Sequence, residues 1–311
     1  MASTEFINGL NALTDDHLGC VATIGSFDGV HCGHQAVIEQ VVQLAARDNL
    51  PSLVMLFEPQ PQEFFSREKA PPRLMGLREK VDALFRHGVN RVLCLKFNHA
   101  LRSLSAQAFI ETVLVKGIGV KHLIIGDDFR FGCDRAGDFN LLKKTGESLG
   151  FTVTDTDTQT ADGERISSTK IRKYLEADDL AAAAKLLGRP FSICRRVIYG
   201  NRLGRTIGFP TMNLGLGRYR PAVQGVYAVN IEIGGASYNG AANVGVKPTI
   251  SGHRKPVLEV HVFDFNRDVY GKFVQVIFRK KIRSEMKFES VEHLKQQIAE
   301  DVTQIRAYFS Y

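Results

Sequence analysis

A chain of 311 residues, 44% hydrophobic and 23% charged, can bury a large core and divide into two domains, which excludes a disordered chain, a collagen-like polymer and a coiled coil. No run approaches the roughly 18–20 unbroken apolar residues of a bilayer span, and the opening Met-Ala-Ser-Thr-Glu-Phe has neither the basic nor the apolar region of a leader, so a cytoplasmic protein is expected. The net charge of +7 is uneven, −3 over residues 1–187 and +10 over residues 188–311, a surplus that could attract nucleic acid, a membrane surface or a small anion without choosing among them. The five cysteines (Cys20, Cys32, Cys94, Cys133, Cys194) are scattered and lack a C-x-x-C pair, which fits reduced thiols better than disulfides or zinc.

In chain order, Cys20 to Gly25 reads as a strand, and His34 to Asp48 as a helix with Val37, Ile38, Val41, Val42 and Ala45 on one face. Ser52 to Phe57 is a second strand, Leu77 to His87 a helix facing inward with Leu77, Val81, Leu84 and Phe85, and Arg91 to Phe97 a third strand. Ser105 caps a helix through Lys116; Lys121 to Gly126, Asp138 to Leu149 and Phe151 to Thr154 complete a strand, helix, strand series. The alternation predicts a doubly wound α/β domain with a parallel sheet. Ser167-Ser168 starts a further helix, Asp178 to Leu187 another, and Gly188-Arg189-Pro190 is a strong helix stop, so domains of 1–187 and 188–311 are expected. Strand periods follow at Ser192 to Tyr199, Gly225 to Ile233, Ala236 to Val244, Val257 to Phe263 and Phe273 to Phe278, with a hairpin at Gly234-Gly235; they suggest a small antiparallel β-barrel. An amphipathic helix, Ser290 to Phe309, presents Val291, Leu294, Ile298, Val302 and Ile305 on one side.

The densest chemical signal is Gly25-Ser26-Phe27-Asp28-Gly29-Val30-His31-Cys32-Gly33-His34, at the junction of the first strand and first helix. There, unpaired helix N–H groups favour a phosphate, and Gly33 permits close approach to two imidazoles one turn apart. Surface histidines, or a metal pair short of a third ligand, are the bland alternatives. Ile166-Ser167-Ser168-Thr169-Lys170-Ile171-Arg172 offers hydroxyls and a guanidinium suited to a second phosphate contact, although ordinary capping would also explain it. In the barrel region, Gly200, Gly204, Arg205, Gly208, Phe209, Pro210, Thr211 and Asn213 form G-x-x-x-G-R-x-x-G-F-P-T-x-N; glycines let backbone amides wrap phosphates, and Thr211 with Asn213 suits a hard cation such as Mg²⁺. A long hairpin loop is the alternative. Glu259 and His261 alternate onto one strand face; a carboxylate inside a small barrel is costly unless paired or functional, whereas a solvent-facing Glu on an edge strand is ordinary.

Residues 25–34 and 166–172 together resemble the H-x-G-H and I-S-S-T-x-x-R motifs of the nucleotidylyltransferase superfamily. Phe57 to Phe65 and Gly126 to Gly132, which includes Asp128 and Phe129, are similar to the F-x-P-x-P-x-x-F and G-x-D-F-x-F-G segments of its flavin-adenylylating branch. Asn243 to Thr249, Glu259-Val260-His261 and Asp264 to Gly271 resemble the N-x-G-x-R-P-T, E-x-H and D-F-x-x-D-x-Y-G strings of riboflavin kinase barrels, with Lys247 where Arg is usual. Over nearly its whole length the chain therefore resembles the bacterial bifunctional riboflavin kinase/FAD synthetase family. That resemblance implies an N-terminal adenylyltransferase domain and a six-stranded kinase barrel with a terminal helix near the flavin. It implies that Glu259 is the general base for phosphorylation of riboflavin by ATP, with Thr211 and Asn213 holding Mg²⁺ and phosphate. It further implies that FMN attacks the α-phosphorus of a second ATP to give FAD and pyrophosphate, steadied by His31, His34 and Arg172, with Gly25, Phe27, Asp28, Gly33, Ser167, Ser168 and Thr169 around the nucleotide. Expected partners are these small molecules, with transient hand-over of flavin to apo-flavoproteins and neither nucleic acid nor membrane. Other H-x-G-H transferases adenylylate pantetheine phosphate or nicotinate mononucleotide, but the fused G-F-P-T-x-N barrel points to flavin. A flavin-sensing regulator binding RNA or DNA through its basic half, for instance at Arg218-Tyr219-Arg220, is the reading from another class; the complete catalytic set argues against it.

Overall fold

The computed structural model describes residues 4–66, 69–126, 128–156, 160–161, 164–200, 203–217, 219–248 and 254–310, with backbone alone at 160, 161, 164, 203, 205, 247, 248, 254 and 255. By packing, the chain divides into two compact units: the first runs to Pro71 and resumes over Leu77–Ser167; the second takes Pro72–Gly76 and everything from Ser168.

The first unit contains, in order, β1 (Glu5–Asn8), β2 (Cys20–Ile24), α1 (Cys32–Arg47), β3 (Ser52–Glu58), α2 (Pro61–Phe65), α3 (Leu77–Arg86), β4 (Arg91–Lys96), α4 (His99–Arg102) and α5 (Ala106–Phe109). A π-helical stretch continues α5 through Gly117; β5 (Val120–Ile125), α6 (Phe139–Leu149), β6 (Thr152–Asp155) and the short hairpin β7 (Thr160–Ala161) and β8 (Glu164–Arg165) follow. Strands β1 to β6 form one parallel sheet in the order β1-β4-β3-β2-β5-β6, a doubly wound arrangement. Its central strands are apolar without alternation because both faces are covered: all five residues of β2 are buried. Helix α1 lays Ile38, Val41 and Ala45 against that sheet. Ser105, Asp138 and Ser290 all cap helices through their side chains. Strand β1 escapes sequence reading because only Ile7 of its four residues is buried, too little for a period to show. Connections run β3 and β4 to one side of β2 and β5 and β6 to the other, so the order reverses between β2 and β5, where open α/β sheets place ligands.

The second unit begins with α7 (Ser168–Glu176) and α8 (Leu180–Leu187), the latter ended by Gly188 in the left-handed conformation at φ 71°. Asp178 fastens this pair to the barrel, accepting from Tyr227 Oη at 3.1 Å and Lys281 Nζ at 2.7 Å. Burial and the adjacent carboxylate push the Tyr227 phenol well above its ordinary value. The barrel comprises β9 (Ser192–Ile198), the helical turn α9 (Leu203–Thr206), β10 (Met212–Leu214), β11 (Gly225–Ile233), β12 (Ala236–Pro248), β13 (Arg254–Val262) and β14 (Phe273–Arg283); α10 (Val291–Phe309) closes the chain. Six antiparallel strands close as β10-β13-β12-β11-β14-β9. The sixth, β10, is only three residues long and sits between β13 and β9, which hides it within its glycine-rich loop. Strand β14 outruns its apolar segment because Arg279, Lys280 and Lys281 continue the wall, with bulges where β11 pairs with it. Tyr227, Val229, Ile231, Ala242, Val260 and Val276 are wholly buried in this unit. Helix α10 packs Ile305 and Val302 on Ala228 and Ala241. Val291, expected on that apolar face, is exposed at the first turn.

Candidate functional site

In the first unit, β2 delivers the chain at the switch point into Gly25–His34. The turn is tightly folded: Phe27, Gly29 and Val30 have φ of 44°, 89° and 41°. A Cβ on Gly25 would lie 3.0 Å from the Phe27 ring, which would have to shift to admit it, and Asp28 is buried. His31 caps α1, its Nδ1 accepting from the His34 amide at 3.2 Å, so the neutral ring carries its proton on Nε2. The two imidazoles stack at 3.6 Å and 15°, and Phe27 lies 5.0 Å from His34. His34 Nδ1 is buried without a hydrogen-bond partner among the described residues. Burial, then the neighbouring His31 and Lys80, holds the His34 pKa well below the ordinary imidazole value. A Cβ on Gly33 would lie 3.3 Å from the His31 ring and 3.5 Å from the Ile166 carbonyl, so the first motif adjoins the start of the second. Asp128, exposed, pairs with Arg165 at 3.1 Å, and Phe129 stacks on Phe131 at 5.7 Å. Asp127 lies outside the described residues. Ser167 ends the first unit, half-buried; Ser168, Thr169 and Arg172 open α7 in the second, where Arg172 Nε donates to the Pro72 carbonyl at 2.6 Å.

In the barrel, Leu258, Val260 and Val262 of β13 point inward, so Glu259 and His261 share the outer face. Of the two placements left open for Glu259, neither holds as stated: the apolar members of the alternation fill the interior, and Glu259 is half-buried on the outside of the wall, on a strand paired on both sides. Register sets it between Asn213 of β10 and Asn243 of β12. All three line a cavity of about 240 Å³, shared with Thr211, Gly204 and, from α10, Ile298. Glycines carve the approach to Thr211 and Asn213. A Cβ on Gly200 would overlap the Asn213 amide at 2.2 Å, and one on Gly204 would strike the Phe209 carbonyl at 2.3 Å and approach Thr211 Oγ1 at 3.3 Å. Gly208 takes φ 91°, and Pro210 offers its carbonyl to His261 Nδ1 at 2.8 Å. The Arg205 side chain, and Thr249, lie outside the described residues.

No group of three His, Cys, Asp or Glu able to hold a metal occurs among the described residues. The donors beside the glycines are instead a hydroxyl and an amide, with Glu259 on the same wall. Such hard oxygen donors, too few for a cage, fit a cation held largely by substrate phosphates, as Mg²⁺ is. Two groups carry no sequence signal of their own. Arg283 and Asp301 form a bidentate pair on the cavity wall, 18 positions apart in chain elements of different type, and Lys80 is buried under the histidine turn.

Residues 13–170 match the family model described as FAD synthetase, and residues 187–309 that described as riboflavin kinase. A protein of Pseudomonas fluorescens named bifunctional riboflavin kinase/FMN adenylyltransferase is 50% identical over 97% of both chains. The chain belongs to the bifunctional riboflavin kinase/FMN adenylyltransferase family. Its FAD synthetase region is N-terminal and its riboflavin kinase region C-terminal. An Escherichia coli K12 protein of the same name is 49% identical over 98% of both chains. A crystal structure described as a macrolide-efflux protein from Streptococcus pneumoniae aligns with a TM-score of 0.78 and 32% identity over 97% of this chain and 98% of its own. No described helix of the present chain is long and apolar enough to cross a membrane.

Proposed function

We propose that residues 188–311 phosphorylate riboflavin and residues 1–187 adenylylate the FMN so formed, with the roles below. The observation that carries the kinase half is Glu259 in register between Asn213 and Asn243 on one wall of the cavity. An alcohol needs its proton removed as phosphoryl transfer proceeds, and Glu259 is the base placed for the riboflavin 5′-hydroxyl. The Thr211 hydroxyl and Asn213 amide would hold Mg²⁺ and phosphate; the metal, when bound, would neutralise charge on the phosphoryl oxygens. Gly200, Gly204, Arg205 and Gly208 cover the nucleotide, and Pro210, held by His261, sets the entry to Thr211. Flavin lies toward α10, whose Leu294, Ile298 and Val302 line the same cavity.

For the second reaction the FMN phosphate is the nucleophile. Its second pKa is near 6, so it is largely dianionic at pH 7 and requires no enzymatic base. The protein's part is positioning and charge neutralisation. His31 donates from Nε2, and His34, neutral and with a spare buried nitrogen, lies stacked beneath it. Together they steady the phosphates of ATP and the departing pyrophosphate at the start of α1, while Gly33, Gly25, Phe27 and Asp28 shape the turn. Arg172, Ser167, Ser168 and Thr169 supply further phosphate donors, and Asp128 and Phe129 line the nucleotide side. A cytoplasmic setting, where apo-flavoproteins receive the product, fits a chain of reduced thiols. Purified protein with riboflavin and MgATP, sampled over time with flavins separated, tests the reading: FMN accumulates first and FAD follows. FAD formed from added FMN but no FMN from riboflavin would remove the kinase half.

A further inference from the structure

Helix α3 is amphipathic, and Lys80, three residues after Leu77 and four before Leu84, flanks its buried stripe: it is a charged side chain only 2% exposed. A lysine is almost never buried so completely without a built surrounding, because desolvating an ammonium is expensive. Its Nζ reaches across 54 positions to donate to the Ser26 carbonyl at 2.5 Å. Ser26 opens the turn whose Phe27 and Val30 hold left-handed backbone, a conformation that side-chain-bearing residues keep only when their surroundings hold it. The same turn carries His31, which caps α1, and leads to His34 with its unpartnered buried Nδ1. Two stacked imidazoles 3.6 Å apart would repel if both were protonated, and Lys80 adds its own field against a second positive charge on His34. Asp28 in the turn and Glu79, the residue before Lys80, are also buried, and both have partners.

We infer that Lys80 is a positioning residue of the adenylyl-transfer site, tying α3 to the Gly25–Val30 turn and placing a fixed positive charge beneath the imidazoles that receive the phosphates of ATP and the departing pyrophosphate. It acts through the turn and through neutral His34, not on the reacting atoms. The inference rests on the assignment of His31 and His34 to those phosphates.

The test uses the full chain in four forms beside the parent: Lys80→Met, Lys80→Gln, Lys80→Arg, and His31→Ala with His34→Ala. Conversion of FMN to FAD is measured with KM for ATP and for FMN separately, and the reverse reaction with KM for inorganic pyrophosphate. Riboflavin phosphorylation, which belongs to the other region, serves as the control for the second unit, and a thermal melt followed by circular dichroism reports on folding of the first. A hydrogen bond from a charged group sets the scale, so Lys80→Met is expected to lower kcat for FAD formation roughly ten- to a hundredfold and to raise KM for ATP and pyrophosphate. KM for FMN and the kinase rate stay at parent values, Lys80→Gln falls between, and Lys80→Arg restores most of the loss because the charge returns. Parent-like kcat and KM in Lys80→Gln overturn the inference, as does equal loss in Lys80→Gln and Lys80→Arg, which marks a packing role. If Lys80→Met fails to fold, the Gln and Arg variants decide alone. Should the double histidine variant make FAD at the parent rate, the histidine assignment itself fails, a result distinct from an intact histidine effect with an inert Lys80.

Discussion

Replacing Asp301 by Ala should unfasten α10 from the barrel. The carboxylate accepts from Arg283 Nε at 2.9 and 3.0 Å, from the Arg283 terminal nitrogen at 2.8 Å and from Gln297 at 3.2 Å. Asp301 and Arg283 side chains are 6% and 17% exposed, so water replaces little of what is lost. Removing one partner of a buried pair costs about 3–5 kcal/mol, mostly because the remaining charge is stranded. That is a large share of the roughly 5–15 kcal/mol that keeps a domain folded. For a unit of this size it corresponds to a fall of roughly 10–20 °C in the unfolding midpoint. The assay is thermal denaturation followed by circular dichroism, alongside the riboflavin KM, which should rise because α10 lines the cavity. The FMN to FAD rate should not change. Converting both residues to Leu should recover much of the midpoint, since no charge is then stranded. An Asp301→Ala midpoint within about 2 °C of the parent would refute the reasoning, for it would mean that less than about 1 kcal/mol holds the helix through this pair.

Glu259→Gln should slow riboflavin phosphorylation about 10²- to 10⁴-fold while adenylylation of added FMN continues; paired initial rates check it, and equal loss in both would be inconsistent with a base acting on the riboflavin hydroxyl. His31→Ala with His34→Ala should cost roughly 10²- to 10³-fold per donor in FAD formation and leave FMN formation intact, measured in the same assay. Because His34 is held below its unfolded pKa, the unfolded chain binds a proton that the folded one refuses as pH falls below the ordinary imidazole value near 6.5, and stability of the first unit declines there. Urea midpoints across that range should show the slope, and His34→Gln should flatten it. A fragment from residue 188 onward should make FMN, and one from residue 168 should melt higher because it retains Asp178 with its bonds to Tyr227 and Lys281.

The parallel sheet was legible because its central strands are continuous apolar runs and its helices carry clear 3.6-residue faces, as at Ile38, Val41 and Ala45. The motif strings were legible because glycines, histidines and hydroxyls coincide at strand ends. What escaped has identifiable causes. β1 buries one side chain and β10 is three residues long, so neither shows a period. The face of β13 was readable but not its direction, since alternation states which residues go together and only closure of the barrel decides which set goes inside. Lys80 and Asp301 carry charges that suggest solvent, although their helical positions flank the apolar stripes; the bonds that accommodate them come from residues distant in sequence, Ser26 and Arg283. The link from Asp178 to the barrel likewise depends on a left-handed residue between two helices, at φ 61°.

Strand β13 interleaves an inner and an outer set of residues, and with the roles proposed for the outer set this bears on how the kinase tolerates change. Leu258, Val260 and Val262 face an apolar interior, while Glu259 and His261 face the cavity beneath α10. Every residue substituted in turn along 258–262 should therefore yield a sawtooth: folding and turnover respond at alternate positions, each nearly blind to the other. A barrel arranged so can have its filling exchanged for other apolar shapes of equal volume while its chemistry persists on the outer wall.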